Sequence, residues 1–405
     1  MAANVYYSSS PFGSGDIKVA SNISIAGGAG AATFSVAQTG NIGVGCHVIS
    51  SGIDGFISEM TDSTHATIVT ALGVAHGNVT SETLTSIAHE YASISAYEAG
   101  FTDASHINDT DLTNADVAAF CPCYYDHDDQ TLDTTATQIS FGTTGATQYL
   151  QFYTPMGGTE SINNQRHSGV WDANKWALDI SASGGGPLNI DESFVRIIGL
   201  QVRHQATSLN RKVIDIFSTG TTSYKVYSNI VRGDAASTGV TDGIFTGSGG
   251  VTAEIWNNVG YDFTGAGILT NFTHTDTTIY HNTIHNSVSG FDLNSKNPTA
   301  KNNIGQSNTT DYANIASATT SNNVDEDGTG DITGAVAFTD EANDDFSLAS
   351  GDTVAAGAGT DLTGTVDVDI IGTARSSSPS CGAFELVAAA GGLPAGSLSL
   401  MGVGI

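Results

Sequence analysis

The sequence has few basic residues. Its 405 residues include 12 Lys and Arg against 41 Asp and Glu, which gives a formal net charge of −29. No Lys or Arg occurs from Ala20 through Gln165. Nucleic-acid binding depends on clustered Lys and Arg side chains that neutralise phosphates. We therefore expect no nucleic-acid partner.

Cysteine is scarce, and uninterrupted apolar runs are missing. The four cysteines, Cys46, Cys121, Cys123 and Cys381, contain one close pair, which is too few for a disulfide framework or a zinc site. The N-terminal residues show neither the basic nor the apolar region of a signal peptide. Residues 386–405 carry no charge, but glycines and a proline interrupt them. We expect this tail to contact its own domain or a neighbouring subunit, and we expect no membrane span.

Turn and strand formers are abundant instead, with 48 glycines beside many Thr, Ser and Asn residues. Residues 1–85 contain short β-type runs broken by glycine clusters, which predicts a small antiparallel β module for attachment or assembly. Apolar and aromatic residues recur every three to four positions from Leu84 to Tyr97, a spacing that predicts a helix. The change of pattern places a domain boundary near residue 85.

A repeat begins near residue 191. Its aliphatic positions lie 30, 29, 25, 20 and 20 residues apart, at Leu200, Ile230, Val259, Ile284, Ile304 and Val324. Since no repeat contains a helix-length amphipathic stretch, this period predicts a parallel β-helix, whose coils stack about 4.8 Å apart. A recurring asparagine predicts a structural ladder of stacked side-chain amides at one corner, formed by Asn229, Asn258, Asn303 and Asn323.

Three segments resemble the right-handed parallel β-helix, or pectin-lyase-like, superfamily. They are an entry segment at 91–100 with 119–124, a first coil at 167–172 with 195–202, and a closing motif at 369–375 with 382–385. The closing motif follows the pattern D-x-x-G-x-x-R…D-I-G-A-F-E, except that Ser380 and Cys381 replace its second Asp and its Ile.

The resemblance implies an all-β fold, a right-handed parallel β-helix solenoid preceded by the small antiparallel module. Residues 86–190 would form the entry and N-terminal cap with one short helix, and 191–345 the coils. Residues 346–387 would form the closing coil, and 388–405 an uncharged, glycine-rich tail.

The segments are most similar to uncharacterised bacteriophage and bacterial β-helix proteins of the virion or tail-spike type. This implies a non-catalytic structural protein on the virion surface: a homotrimeric fibre, spike or capsid decoration. Its partners would be other copies of itself, other virion proteins and host surface glycans. Two alternatives remain open. One is a polysaccharide depolymerase on the same fold, and the other is a secreted, extracellular cell-surface adhesin.

Catalysis on this fold would require specific groups. A lyase needs a basic side chain beside calcium-binding carboxylates, and the candidate bases are Arg196, Arg203, Arg211 and Arg232. A glycoside hydrolase needs two carboxylates separated by about 5–10 Å. Its candidates lie on the early coils: Asp234, Asp242, Glu254, Asp262, Asp276 and Asp292.

Two kinds of binding residue complete the predictions. Trp256, Tyr261 and Tyr280 would bind a glycan if their rings are exposed, because exposed aromatic rings pack against the faces of sugars. Asp325, Asp327 and Asp331 lie in an acidic loop that could hold calcium through carboxylate and carbonyl oxygens. We expect no other cofactor.

Overall fold

The computed structural model describes residues 2–13, 15–125, 132–140, 142–217, 223–247, 252–271 and 276–386. Its strands form an antiparallel module and a parallel β-helix, which confirms the predicted fold class. The tail predicted at 388–405 lies outside the described residues. None of the described helices is long and apolar enough to cross a membrane.

After a first strand, β1 (Ala3–Tyr6), the chain enters a seven-stranded antiparallel module. Its strands are β2 (Asn22–Ala26), β3 (Ala31–Phe34), β4 (His47–Ile49), β5 (Asp54–Asp62), β6 (His65–Val69), β7 (Val79–Thr83) and β8 (Ser86–Ala88). Their spatial order is β7-β2-β3-β6-β5-β4-β8. Buried and more exposed residues alternate along them, as Ile23, Ser24 and Ile25 do in β2. The buried side chains give the module a core of its own.

The segment predicted as a helix from Leu84 to Tyr97 is helical only at its end. β8 pairs with β4, and Ile87 is fully buried in the module core, so tertiary pairing overrides the helical spacing. Helix α1 (Ile94–Ala99) begins where Ser93 Oγ accepts a hydrogen bond from the Ala96 N–H. Within the described residues, helix α2 (Leu112–Ala115) and three 3-10 turns complete the helical elements, the turns being Gly100–Thr102, Ile315–Ser317 and Glu341–Asn343.

A nine-stranded parallel sheet, the front sheet, forms one face of the β-helix. In spatial order it contains β1, β9 (Val117–Pro122), β11 (Leu150–Tyr153), β14 (Val195–Ile198), β17 (Ser223–Tyr227), β20 (Thr252–Trp256), β22 (Asp276–Tyr280), β24 (Thr299–Lys301) and β27 (Thr319–Ser321). Strand β1 therefore belongs to the β-helix although it precedes the module. The module is inserted between the first two strands of this sheet.

A thirteen-stranded sheet forms the other two faces. Its strands are β10 (Thr137–Ile139), β12 (Ala177–Ile180), β13 (Leu188–Ile190), β15 (Gln201–His204), β16 (Arg211–Ile216), β18 (Ile230–Arg232), β19 (Thr241–Thr246), β21 (Val259–Thr270), β23 (Thr283–Leu293), β25 (Ile304–Gln306), β26 (Thr310–Ala313), β28 (Val324–Asp325) and β29 (Ile332–Thr333). Strands β12, β15 and β18 form a side row, and β10, β13, β16 and β19 form a back row. The long strands β21 and β23 continue both rows.

Stacked aliphatic side chains fill the interior. In the front sheet, Ile197, Val226, Ile255, Ile279 and Ala300 occupy matching positions on consecutive coils. Each is at most 1% exposed. Every coil thus buries the same position of its repeat, which is why the spacing of aliphatic residues along the chain reveals the coils.

A closing segment, residues 338–386, packs on the outside of the side row. It begins with a hairpin of β30 (Phe338–Asp340) and β31 (Asp345–Leu348). Phe346, Ile370 and Phe384 then form one buried cluster with Ile230 and Tyr261 of the side row. The closing segment therefore covers this face of the solenoid.

The closing motif forms a hydrogen-bonded clasp. Asp369 accepts the backbone N–H groups of Thr373 and Glu385 at 2.7 and 3.0 Å. The Arg375 guanidinium donates to Asn257 Oδ1 at 2.8 Å and to the Gly382 carbonyl at 3.0 Å, and it lies 3.4 Å from the Glu385 carboxylate. The Arg375 and Glu385 side chains are only 3% and 6% exposed. Burial lowers the pKa of Arg375 to about 10.

Candidate functional site

A ladder of asparagines occupies the turn from the front sheet to the side row. Each side-chain amide donates to the side-chain oxygen of the next residue at 2.9–3.0 Å, and the last donates to an Asp331 oxygen, in the order Asn229, Asn258, Asn282, Asn303, Asn323, Asp331. All five asparagines are fully buried. The ladder contains the four residues predicted from sequence and adds Asn282. The Asn258–Asn303 spacing equals two repeats, a signal that could have located it.

The ladder residues do not adopt the left-handed backbone themselves. The residue before each one does, with φ between 54° and 58°: Ser228, Asn257, His281, Asn302 and Asn322. This backbone turns the corner in two residues, while the ladder side chain is aimed along the solenoid axis. Because the hydrogen-bonding groups face one another inside the protein, the ladder serves structure rather than ligand binding.

An aromatic strip lies on the outer face of the front sheet. It consists of Tyr227, Trp256 and Tyr280, which pair in register on three consecutive coils. The rings of Tyr227 and Trp256 stack with centroids 4.2 Å apart and planes inclined by 9°. All three side chains are half-buried, so part of each ring reaches the surface.

Charged groups flank the aromatic strip. Lys225 and Glu254 occupy paired positions beside it, with 3.2 Å between the ammonium nitrogen and a carboxylate oxygen. The Lys225 ammonium is also 5.8 Å from the centre of the Trp256 ring. The strip thus combines apolar rings with donors and acceptors at its border, as carbohydrate-binding surfaces require.

The outer face of the front sheet continues toward the module. The Arg196 guanidinium lies 3.4 Å from the centre of the Tyr149 ring, and Tyr6 stacks on Phe120 with centroids 4.9 Å apart. Tyr6, Tyr149 and Arg196 line a cleft of about 610 Å³, which Glu59 of the module lines as well. Between the strip and this cleft, Ile198 and Tyr153 continue the row of Tyr227 on the next two strands. Both are buried, so the two surfaces are separate along this row.

Tyr261 takes no part in this surface. It is 1% exposed, and its ring lies 5.4 Å from that of Phe346 in the closing segment. Its faces are therefore unavailable to a glycan, so Tyr261 does not meet the condition of ring exposure on which its predicted role depends. Strand position alone does not distinguish Tyr261 from Trp256, because the difference arises only when the closing segment docks on the side row.

A second cleft, the back cleft, opens on the back row and measures about 360 Å³. Lys212, Asp215 and Asp242 line it. The Lys212 ammonium lies 3.9 Å from an Asp215 oxygen, and Lys212 and Asp242 occupy paired positions on adjacent coils. Burial raises the pKa of both Asp215 and Asp242, while the neighbouring positive charge of Lys212 partly opposes this rise. Sequence reasoning named Asp242 but missed Lys212 and Asp215, because only strand register brings them together.

The other candidate hydrolase acids are dispersed. Asp234 lies in the loop after β18, where it accepts the Ala236 N–H. Asp262 and Asp292 accept hydrogen bonds at 2.7 Å from the side chains of Asn286 and Asn314.

Glu254 and Asp276 share the outer face of the front sheet, where Glu254 pairs with Lys225. Of the candidate lyase bases, Arg203 and Arg232 form ion pairs with Asp179 and Asp262.

The predicted calcium residues separate into two groups. Asp331 ends the asparagine ladder, where its Oδ2 accepts hydrogen bonds from the backbone and side chain of Asn323. Asp325 and Asp327 instead converge with Asp311, and one carboxylate oxygen from each of these three lies within 4.8 Å of the others. Among the described residues, this is the only group of three acidic, His or Cys side chains that meets this criterion.

No family model matches the chain, and no curated protein does. Among solved structures, the chain is similar to the crystal structure of pectate lyase Pel9A, with 15% sequence identity and a TM-score of 0.36. The similarity covers 66% of this chain and 77% of that one.

At this level the similarity assigns no activity. The parallel β-helix is established by the strand pairings described above.

Proposed function

We propose that the protein is a non-catalytic β-helix of a phage-type virion, which binds surface polysaccharide through the outer face of its front sheet. The aromatic strip of Tyr227, Trp256 and Tyr280 is the observation that carries this proposal. Tyr and Trp present an apolar ring together with a hydrogen-bonding group. This combination matches the alternating C–H and hydroxyl surfaces of a sugar chain.

The arrangement of the faces supports the front sheet as the binding side. The closing segment occupies the outside of the side row, whereas the strip remains partly exposed. Ladder hydrogen bonds and stacked aliphatic residues hold the strands, so the strip is a rigid platform that loses little entropy on binding. A stiff body with an exposed side suits a fibre, spike or capsid decoration.

Replacing Trp256 with alanine is expected to weaken polysaccharide binding at least tenfold, because the substitution removes the central ring and the neighbour of Tyr227. Affinity electrophoresis or a glycan array, followed by calorimetry on the glycan selected, measures the change. Phe217→Ala is the matched control, since Phe217 is 54% exposed and lies outside the strip. Equal losses of affinity in both variants would indicate non-specific apolar adsorption and would contradict glycan binding at the strip.

The back cleft favours a second candidate, a polyuronate lyase. A lysine beside two carboxylates could act as the base that removes the proton next to the uronate carboxyl. However, the acid trio capable of holding a cation lies on β26, on β28 and in the turn after β28, whereas Lys212 lies on β16. Release of unsaturated uronate during the binding assay, abolished in Lys212→Gln, would favour the lyase over the binding protein.

The virion role also draws on the similarity of the entry and closing motifs to phage-type β-helix proteins. Such projecting bodies assemble from identical copies around an axis. We therefore expect a homotrimer when the full chain is analysed by light scattering coupled to size-exclusion chromatography. A monomer at every concentration tested would contradict this part of the proposal while leaving glycan binding open.

A further inference from the structure

We propose that Asp311, Asp325 and Asp327 form a calcium site that joins the last two coils of the β-helix. One carboxylate oxygen from each residue lies within 4.8 Å of the other two. Asp311 is in β26, Asp325 ends β28, and Asp327 lies in the turn that follows. A bound cation would therefore bridge one coil to the next.

Asp325 is the strongest indication of a ligand. Asp325 is only 1% exposed, and neither of its carboxylate oxygens has a hydrogen-bond partner within the described part of the chain. A buried carboxylate without donors is costly, because it has lost its water without gaining a replacement. The polar groups that converge with it are the carboxylates of Asp311 and Asp327, which share its charge, so a cation is the partner that the arrangement lacks.

Hydrogen bonds hold the other two carboxylates in place. Asp311 Oδ2 accepts the Glu326 N–H, and Asp327 Oδ2 accepts the Asp311 N–H, both at 3.0 Å. Asp327 Oδ1 accepts the Thr329 N–H at 3.0 Å. The two segments are thus cross-connected before any cation binds, and the site is preorganised.

No basic side chain balances the trio. None of the ion pairs between described residues includes Asp311, Asp325 or Asp327.

The chemistry of the donors favours calcium. An all-oxygen set suits a hard cation rather than zinc. Ca²⁺ accepts 6 to 8 oxygens at about 2.3–2.6 Å in irregular geometry, so three carboxylates plus water can form its shell. Mg²⁺ requires a stricter octahedron at about 2.0–2.1 Å and gives up its water reluctantly. We therefore expect Ca²⁺ to bind more tightly than Mg²⁺.

Thermal unfolding of the full chain tests the site. We expect Ca²⁺ to raise Tm by several degrees relative to chelator-treated protein, and Mg²⁺ at the same concentration to raise it less. Terbium gives a direct signal, because Tyr312 adjoins Asp311 and can sensitise the luminescence of a lanthanide held there. Calcium should quench this luminescence by competition.

Asp325→Asn is the decisive variant, since it keeps the shape of the side chain and removes one charge. It should abolish the calcium-dependent shift in Tm and the terbium signal, while its Tm in chelator equals or exceeds that of the wild type. Asp327→Asn should also weaken binding.

Asp361→Asn is the matched control. Asp361 is exposed and accepts hydrogen bonds from the N–H and hydroxyl of Thr363, as Asp327 does from Thr329, but it is not part of an acid trio. It should retain the full calcium response. A wild-type Tm that does not respond to Ca²⁺, or a terbium signal that survives Asp325→Asn, would overturn the site.

Discussion

Replacing Asn258 with alanine is expected to lower the free energy of unfolding by about 3–5 kcal/mol. The substitution leaves several buried polar groups without hydrogen-bond partners, and each such group costs about 1–3 kcal/mol. The Asn258 amide donates to the Val226 carbonyl and to Asn282, and its oxygen accepts the backbone and side-chain N–H groups of Asn229. Water cannot replace these bonds at a fully buried position. Denaturant unfolding followed by circular dichroism measures the loss.

Two further variants separate the ladder from a general effect of losing asparagine. Asn271 is half-buried, and its side chain donates one hydrogen bond, to the Gly247 carbonyl at 3.0 Å. Asn271→Ala should therefore cost about 1 kcal/mol or less. Asn258→Asp keeps the shape but loses the donors, and it should be as damaging as alanine at neutral pH. If Asn258→Ala costs no more than Asn271→Ala, the ladder does not stabilise the fold.

The solenoid can be predicted from the sequence because every coil repeats the same local arrangement of residues. A buried aliphatic residue follows the corner, and an asparagine at the corner hydrogen-bonds to the coils beside it. Leu200, Ile230 and Val259 therefore recur at nearly constant spacing. The same spacing places Asn282 in the ladder, one repeat after Asn258 and one before Asn303.

Features that depend on pairing between residues far apart in the sequence cannot be predicted from local patterns. β1 pairs with β9 across more than 100 residues, and no local pattern in Ala3–Tyr6 distinguishes it from the strands of the module. The trio of converging carboxylates includes Asp311 from the preceding coil, so the acidic loop by itself pointed to Asp331 instead. Likewise, the partners of Asp242 in the back cleft follow from register between coils.

The closing segment packs against a part of the solenoid that is distant in the sequence. Arg375 connects the two parts, so its substitution tests what holds the segment in place. Its guanidinium joins the Asn257 corner of the solenoid to Gly382 and Glu385 of the closing segment. Arg375→Ala leaves the Glu385 carboxylate buried without its counter-charge, and breaking a buried ion pair in this way costs about 3–5 kcal/mol. The effect should be local first, so hydrogen–deuterium exchange should rise in residues 352–386 before the coils lose protection.

A conservative variant separates the charge of Arg375 from the geometry of its hydrogen bonds. Lysine at position 375 keeps the positive charge but cannot reproduce the guanidinium bonds to Asn257, Ser380 and Gly382. Arg375→Lys should therefore recover only part of the stability lost in Arg375→Ala. Lys225→Gln provides the surface comparison, since its ion pair with Glu254 lies on the front sheet, with the two side chains 36% and 33% exposed, and should contribute about 1 kcal/mol or less. Full rescue by lysine would show that the pairing with Glu385, rather than the hydrogen-bond geometry, fastens the closing segment over the side row.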